Sequence, residues 1–157
     1  MADDFDRALA VTLSFEGGFV DDPADPGGAT NMGITQAEYN IWQDSQELPH
    51  HPVKEITPGE VEAIYRRNYW DLLSCTFMDW PLSLFVFDAG VHHGIGKART
   101  MLAAVQLADE APERELFAIL AIRRYLFRRD AATNPALSKF LGGWDNRIEK
   151  LRVIAGL

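Results

Sequence analysis

The sequence predicts a mainly α-helical fold, in one domain over residues 1–157, with a small β-hairpin after the first helix. Apolar residues recur at three- and four-residue intervals along most of the chain, and two Thr-x-x-Glu capping boxes precede such runs. A segment rich in glycine and proline over residues 17–35 interrupts this pattern. With 157 residues and 47% hydrophobic content, the chain can bury one sizeable core, whereas two independent domains would each be small.

The first predicted helix covers residues 3–15 and is followed directly by Glu16 and the pair Gly17-Gly18. Glu16 lies roughly 20° around the helix from Phe5, so its carboxylate is expected on the core-facing stripe. The glycines are expected to end the helix, which places Glu16 at or beside the negative end of the helix dipole. Burial and the dipole both disfavour an ionised carboxylate, as a general acid requires. The alternative interpretation is a solvated glutamate on the last helical turn.

The segment after Glu16 carries the signals of a hairpin and a second carboxylate. Turn residues cluster over residues 22–28, and residues 30–35 lead back towards the next helix. Asp25 lies across this turn, so its carboxylate and that of Glu16 can face one cleft, where the Thr30 hydroxyl can hold a water molecule. Two carboxylates beside a scissile bond are the arrangement that glycoside hydrolysis uses. Aspartates beside proline and glycine also cap turns, and for Asp25 the two interpretations stay open.

The rest of the chain is predicted to be a series of helices. In order they cover residues 35–44, 57–72, 81–93, 97–108, 112–129, 135–140 and 144–154. Thr35 with Glu38 and Thr57 with Glu60 form the capping boxes of the first two. The segment over residues 81–93 is apolar on several sides, so it is expected to be a central helix that its neighbours cover.

Five pieces of the sequence resemble one known family. They are residues 15–35 with the Glu-Gly-Gly run, Ile64 to Trp70, Phe87-Asp88, the helix from Gly96 to Gln106, and Gly142 to Arg147. Together they resemble glycoside hydrolase family 108, a group of phage-type and bacterial N-acetylmuramidases in the lysozyme superfamily that also includes secretion activator proteins. The resemblance implies a lysozyme-like helical domain. It divides that domain into a catalytic half over residues 1–90 and a helical half over residues 91–157 that resembles a predicted peptidoglycan-binding region.

The resemblance also implies an activity and its main residue. The family's catalytic acid is the glutamate of Glu-Gly-Gly, which is Glu16 in this chain. The implied reaction is cleavage of the β-1,4 bond between N-acetylmuramic acid and N-acetylglucosamine in peptidoglycan, with Asp25 and Thr30 as candidate catalytic partners. The same glutamate would also serve a lytic transglycosylase, and a non-catalytic wall-binding or secretion-helper protein would need no acid.

Five further residues are predicted to bind the substrate. Their side chains are flat aromatic rings on which sugars stack, or polar groups on the central helix: Tyr39, Trp42, Trp70, Asp88 and His92. The family pattern leads us to expect an asparagine four residues after Asp88, where this chain has His92, whose imidazole can form the same kind of hydrogen bond. The alternative for each aromatic ring is a place in the core.

Charge and composition exclude several other classes of protein. The net charge of −8 is uneven, because residues 1–90 hold 4 basic against 16 acidic residues and residues 91–157 hold 11 against 7. The acidic balance argues against nucleic acid as a partner. Cys75 is the only cysteine, which rules out an internal disulfide and favours a buried thiol. The adjacent histidine pairs do not have zinc-site spacing, so no metal or cofactor is expected.

The expected site of action follows from the substrate and from the N-terminus. The first residues are acidic and lack the basic and apolar regions of a secretory signal, and no apolar stretch is long enough for a membrane anchor. We therefore expect a monomer that is made in the cytoplasm without a signal peptide and acts on glycan strands of the cell wall after release. The resemblance implies release by a holin or a lysis event.

Overall fold

A computed structural model describes residues 3–21, 28–108 and 111–157. Within these ranges the chain is mainly helical, with one small antiparallel hairpin after the first helix, so the predicted fold class is confirmed. The contacts divide the chain into two compact units, residues 1–71 and 72–157. None of the helices in the described ranges is long and apolar enough to cross a membrane.

The first unit contains three α-helices and the hairpin. Its elements are α1 (Asp4–Leu13), β1 (Thr30–Asn31), β2 (Ile34–Thr35), α2 (Gln36–Ser45), a 3₁₀ turn (Val53–Glu55) and α3 (Pro58–Tyr65), which continues as a π-helix (Arg66–Asp71). In the core of this unit, the Phe5 and Trp70 rings meet edge to face with 5.4 Å between their centroids. The predicted helix over residues 57–72 therefore exists, but its second part has the wider π turn.

Local capping explains where the helices of the first unit begin. The Thr35 hydroxyl accepts the backbone N–H of Glu38 at 3.2 Å, and the Glu38 carboxylate accepts the backbone N–H of Thr35 at 3.0 Å. Thr57 and Glu60 repeat the arrangement in α3, so both predicted capping boxes are confirmed. A third box, at Asp3, was missed because its partner is an aspartate rather than the usual glutamate or glutamine.

The described residues of the second unit form four α-helices, with α4 at the centre. These are α4 (Leu82–His93), α5 (Ile95–Leu107), α6 (Pro112–Thr133) and α7 (Leu141–Ile154), with 3₁₀ turns at Cys75–Phe77 and Pro135–Phe140. All residues from Ser83 to Gly90 are buried, because α5 and α6 pack against α4. The expectation of a central, covered helix is thus confirmed within this unit, and the Cys75 thiol is buried as predicted.

A buried ion cluster holds three helices of the second unit together. Asp88 of α4 is fully buried and accepts hydrogen bonds from Arg123 of α6 at 2.7 Å and from Arg147 of α7 at 2.7 to 3.1 Å. Burial raises the pKa of Asp88, but the charges of Arg123 and Arg147 outweigh that effect and hold its pKa below the ordinary value. The carboxylate is therefore ionised throughout the neutral range, and each arginine depends on it as a counter-charge.

Asp88→Asn should destabilise the protein by about 3–5 kcal/mol, because it leaves two buried arginines without their counter-charge. Asp145→Asn is the matched control, since the Asp145 side chain is 46% exposed and pairs with Arg124 at 3.4 Å and Arg128 at 3.9 Å. That change should cost roughly 0–1 kcal/mol. Urea unfolding at pH 7 measures both free energies of unfolding, and equal values would contradict the assignment.

Candidate active site

Glu16 lies beyond the end of α1 rather than on its last turn. The helix ends at Leu13, Ser14 caps it in a right-handed conformation, and the backbone N–H of Glu16 donates to the Leu13 carbonyl at 3.1 Å. Gly17 and Gly18 do not have a positive φ, so the predicted glycine C-cap is wrong. The Glu16 side chain is half-buried, which is neither the fully solvated glutamate nor a core position.

The hairpin in the described residues is tighter than the sequence indicated. Strands β1 and β2 pair with Asn31 opposite Ile34, so Met32 and Gly33 form a two-residue loop. Their φ values of +50° and +77° are those of a type I′ turn. Val20 adds a bridge to Thr30, with N···O distances of 2.9 and 2.8 Å. The sequence signal for this loop is the run Asn31-Met32-Gly33, which lies after the turn residues 22–28 that were predicted to form the hairpin turn.

Met32 occupies a backbone conformation that costs a non-glycine residue roughly 1–2 kcal/mol. A hydrogen bond acts against this cost. The Met32 carbonyl accepts a hydrogen bond from the Tyr65 hydroxyl at 2.9 Å, and such a bond contributes about 0.5–1.5 kcal/mol. Met32 also lines the groove between α1 and α3, together with Leu9 and Val61. The turn is thus held by residues far from it in sequence.

Glu16, Gly33 and Tyr65 converge at the hairpin turn. A Cβ atom built on Gly33 would lie 2.5 Å from the Tyr65 hydroxyl oxygen, 3.1 Å from Oε2 of Glu16 and 3.2 Å from its Cγ. The Glu16 carboxylate therefore rests against the bare Cα of Gly33, on the side where the buried tyrosine ends. Only glycine fits here, both because of these contacts and because of its positive φ.

Tyr69 and Glu38 border the same region. The Tyr69 ring lies beside that of Tyr65, with 5.5 Å between centroids, on the π-helix that follows α3. Burial, followed by the negative charges of Glu38 and Glu16, raises the pKa of the Tyr69 hydroxyl. A tyrosine hydroxyl is protonated at neutral pH in any case, so that of Tyr69 can donate a hydrogen bond in a region that contains two carboxyl groups.

The other two predicted catalytic residues have different outcomes. Thr30 is half-buried in β1 directly opposite Thr35, so the two side chains share one face of the hairpin, with Cβ atoms roughly 4.5–5.5 Å apart. The Thr35 hydroxyl lies 2.9 Å from the Glu38 carboxylate, which places Thr30 on the face of the hairpin that Glu38 occupies. Asp25 lies outside the described residues.

Two of the predicted sugar-stacking residues belong to the core of the first unit. Tyr39 is 2% exposed and donates its hydroxyl to Glu60 at 2.8 Å, and burial together with this partner raises its pKa to about 12. Trp70 is 3% exposed and packs on Phe5. Neither ring presents a face to a ligand, so direct stacking by Tyr39 and Trp70 does not fit the structure. Trp42 is half-buried and stacks on Tyr39 with 6.1 Å between centroids.

The two polar residues of the central helix that were predicted to bind substrate, Asp88 and His92, contact other side chains of the protein. Asp88 is fully buried between its two arginines, so the predicted contact of Asp88 with substrate is wrong. His92 is half-buried among aromatic rings, edge to face with Phe127 at 5.0 Å and Trp144 at 6.0 Å. In the described ranges, no group of three or more His, Cys, Asp or Glu side chains is arranged to hold a metal ion.

The comparisons with known proteins identify the family. The model of the family described as Glycosyl hydrolase 108 matches residues 9–94, more than half of the chain. The chain belongs to the glycosyl hydrolase 108 family. The matched segment contains Glu16, Gly33, Tyr65 and Tyr69, so the converging residues all lie within it. Family membership supports a lysozyme-like function in peptidoglycan hydrolysis.

A solved structure agrees with this assignment. The chain is similar to the protein in "Structure of Brucella abortus SagA", with a TM-score of 0.77, 29% sequence identity, and coverage of 96% of this chain and 92% of that chain. A comparison with curated protein sequences gives no match. The family recognised from the sequence is therefore confirmed by a family model and by a neighbouring structure.

Gly33→Ala should lower both stability and wall hydrolysis. The new Cβ meets the Tyr65 hydroxyl and the Glu16 carboxylate, and the positive φ adds strain of about 1–3 kcal/mol. Gly59→Ala is the control, because Gly59 lies in α3 with no atom within 4 Å of its built Cβ and without a positive φ. Thermal unfolding and the rate of wall clearing would test this, and wild-type behaviour of Gly33→Ala would contradict the described convergence.

Stability should fall as the pH drops from about 6.5 towards 4, because His92 stays neutral in the folded protein. Burial, then the charges of Arg147 and Arg123, lower the pKa of His92 to about 4, against the opposing effect of Asp88. The unfolded chain binds this proton near pH 6.5, so acid favours unfolding. His92→Phe should lose less stability between pH 7 and pH 5 in urea unfolding, and an unchanged difference would exclude His92 as its source.

Proposed function

We propose that the chain is an N-acetylmuramidase that cleaves the β-1,4 bond between N-acetylmuramic acid and N-acetylglucosamine in peptidoglycan. The observation that carries the proposal is the half-buried Glu16 carboxylate at the Met32–Gly33 turn, inside the segment that matches the glycosyl hydrolase 108 family. A glycosidase needs one carboxylic acid placed beside the scissile bond, and Glu16 has the chemistry and the partial burial for that role.

In the proposed mechanism, Glu16 donates its proton to the glycosidic oxygen as the bond to the leaving sugar breaks. Positive charge then develops on the ring that remains, in an oxocarbenium-like transition state. We assign stabilisation of this charge, or activation of the attacking water, to Asp25 with Thr30. The separation of the two carboxyl groups would decide between inversion and retention of configuration, at roughly 6.5–9.5 Å or 5–5.5 Å respectively.

The neighbours of Glu16 suit this chemistry. The carboxyl group lies close to the Gly33 backbone, because a Cβ atom built there would be only 3.1 Å from Oε2 of Glu16. Tyr69 keeps its hydroxyl proton and can donate it in a hydrogen bond to a sugar oxygen or to the carboxylate that remains after proton transfer. Trp42 is the predicted stacking residue that keeps partial exposure, and it stays in the proposal.

The proposed partner is the glycan strand of peptidoglycan, and the proposed place of action is the cell wall. A muramidase adds one water molecule to the broken bond and leaves a reducing N-acetylmuramic acid. A lytic transglycosylase with the same acid would leave a 1,6-anhydro product that is lighter by that water. Mass spectrometry of fragments released from purified peptidoglycan separates the two reactions.

Glu16→Gln should reduce hydrolysis of purified peptidoglycan by roughly 10²- to 10⁴-fold, because the amide cannot donate the proton that the leaving oxygen needs. The thermal unfolding temperature should stay close to that of the wild type, since the two side chains have nearly the same shape. Glu62→Gln, at an exposed position of α3, is the matched control and should keep full activity. Unchanged activity of Glu16→Gln would refute the enzyme and favour a wall-binding or secretion-helper protein.

A further inference from the structure

Tyr65 is the residue that connects the core of the first unit to the hairpin turn. Its side chain is 1% exposed, and its hydroxyl donates to the Met32 carbonyl at 2.9 Å across 33 positions of sequence. Its ring packs against Tyr69. Tyr65 is the last residue of α3, so the packing of that helix sets the position of the tyrosine hydroxyl.

A hydrogen bond to the Met32 carbonyl affects the conformation of the whole turn. Met32 has a φ of +50°, a conformation that residues with a Cβ adopt rarely and leave when nothing stabilises it. Gly33 follows directly, so a rotation at Met32 changes the place of the Gly33 Cα. That Cα is the surface against which the Glu16 carboxylate lies.

We propose that Tyr65 is a positioning residue for the general acid. By holding the Met32–Gly33 turn, its hydroxyl keeps the Gly33 backbone at the place where the Glu16 carboxyl group points at the scissile bond. This role rests on the proposed function of Glu16. It differs from a purely structural role, because it requires that loss of the hydroxyl slow the chemical step more than loss of stability explains.

The first unit offers a matched control for this distinction. Tyr39 is also buried, at 2% exposure, and its hydroxyl also donates one short hydrogen bond, to Glu60 at 2.8 Å. That bond joins α2 to α3 and does not involve the hairpin turn. Tyr65→Phe and Tyr39→Phe therefore each remove one buried hydroxyl together with its hydrogen bonding, but only the first removes the bond to the Met32 carbonyl.

The two variants should have similar losses of thermal stability and different kinetics. With purified soluble glycan fragments as substrate, Tyr65→Phe should lower kcat by roughly 10- to 100-fold, since misplacement of a reacting group by about 1 Å has that effect. Its KM should change by less than about twofold, because the sugar contacts stay in place. Tyr39→Phe should keep a kcat close to that of the wild type. Equal kcat values for the two variants, at equal stability, would overturn the proposal.

A second-site change tests whether Tyr65 acts through the turn. Met32→Asn creates Asn-Gly, the pair that favours a type I′ turn most strongly and holds it without help. In the Tyr65→Phe background it should restore kcat at least partly. If kcat stays low although the double variant is as stable as Tyr39→Phe, Tyr65 acts on Glu16 by another route and the proposal is wrong.

The activity of Glu16→Gln distinguishes a failure of the proposed function from a failure of the role proposed for Tyr65. Full activity of Glu16→Gln would refute the proposed function and this inference with it. A large loss in Glu16→Gln, together with equal kinetics of Tyr65→Phe and Tyr39→Phe, would leave the proposed function standing and refute only the role of Tyr65.

Discussion

The missing side chain at Gly33 is the constraint on which the candidate site depends. The hairpin turns in two residues, Met32 and Gly33, which both have positive φ, and the second position has no room for a Cβ. The Tyr65 hydroxyl and the Glu16 carboxylate occupy the space that a side chain would need. One glycine thus allows a core residue of α3 and a carboxylate from beyond α1 to approach the same turn.

The carboxyl groups of Asp88, in the second unit, and of Glu16, in the first unit, have opposite surroundings. In the second unit, Asp88 is fully buried and its charge is balanced by two arginines, an arrangement that fixes three helices but leaves no lone pair for a ligand. In the first unit, Glu16 is half-buried beside a glycine and near a tyrosine that keeps its proton. The first arrangement suits a structural role, and the second is the one for which we propose the catalytic acid.

The predicted substrate contacts that do not fit the structure share one physical origin. Tyr39 and Trp70 were predicted to stack on sugars because their rings are flat, but the sequence could not show whether protein or solvent covers those rings. Both rings are covered by the core. Asp88 was expected to bind substrate as a polar group on the central helix, yet its partners Arg123 and Arg147 lie 35 and 59 residues away. A local sequence pattern cannot predict an ion pair between residues so far apart in the chain.

The sequence by itself determined the helices, the two threonine capping boxes, the region of the hairpin and Glu16 as the candidate acid. These depend on interactions within about four residues along the chain, which repeat as readable patterns. Only the tertiary structure decided that Gly33 receives the Glu16 carboxylate, that Tyr65 holds the turn, and that Asp88 is a structural counter-charge. Those contacts join distant segments through packing, and packing follows from the whole set of buried surfaces rather than from any one stretch of sequence.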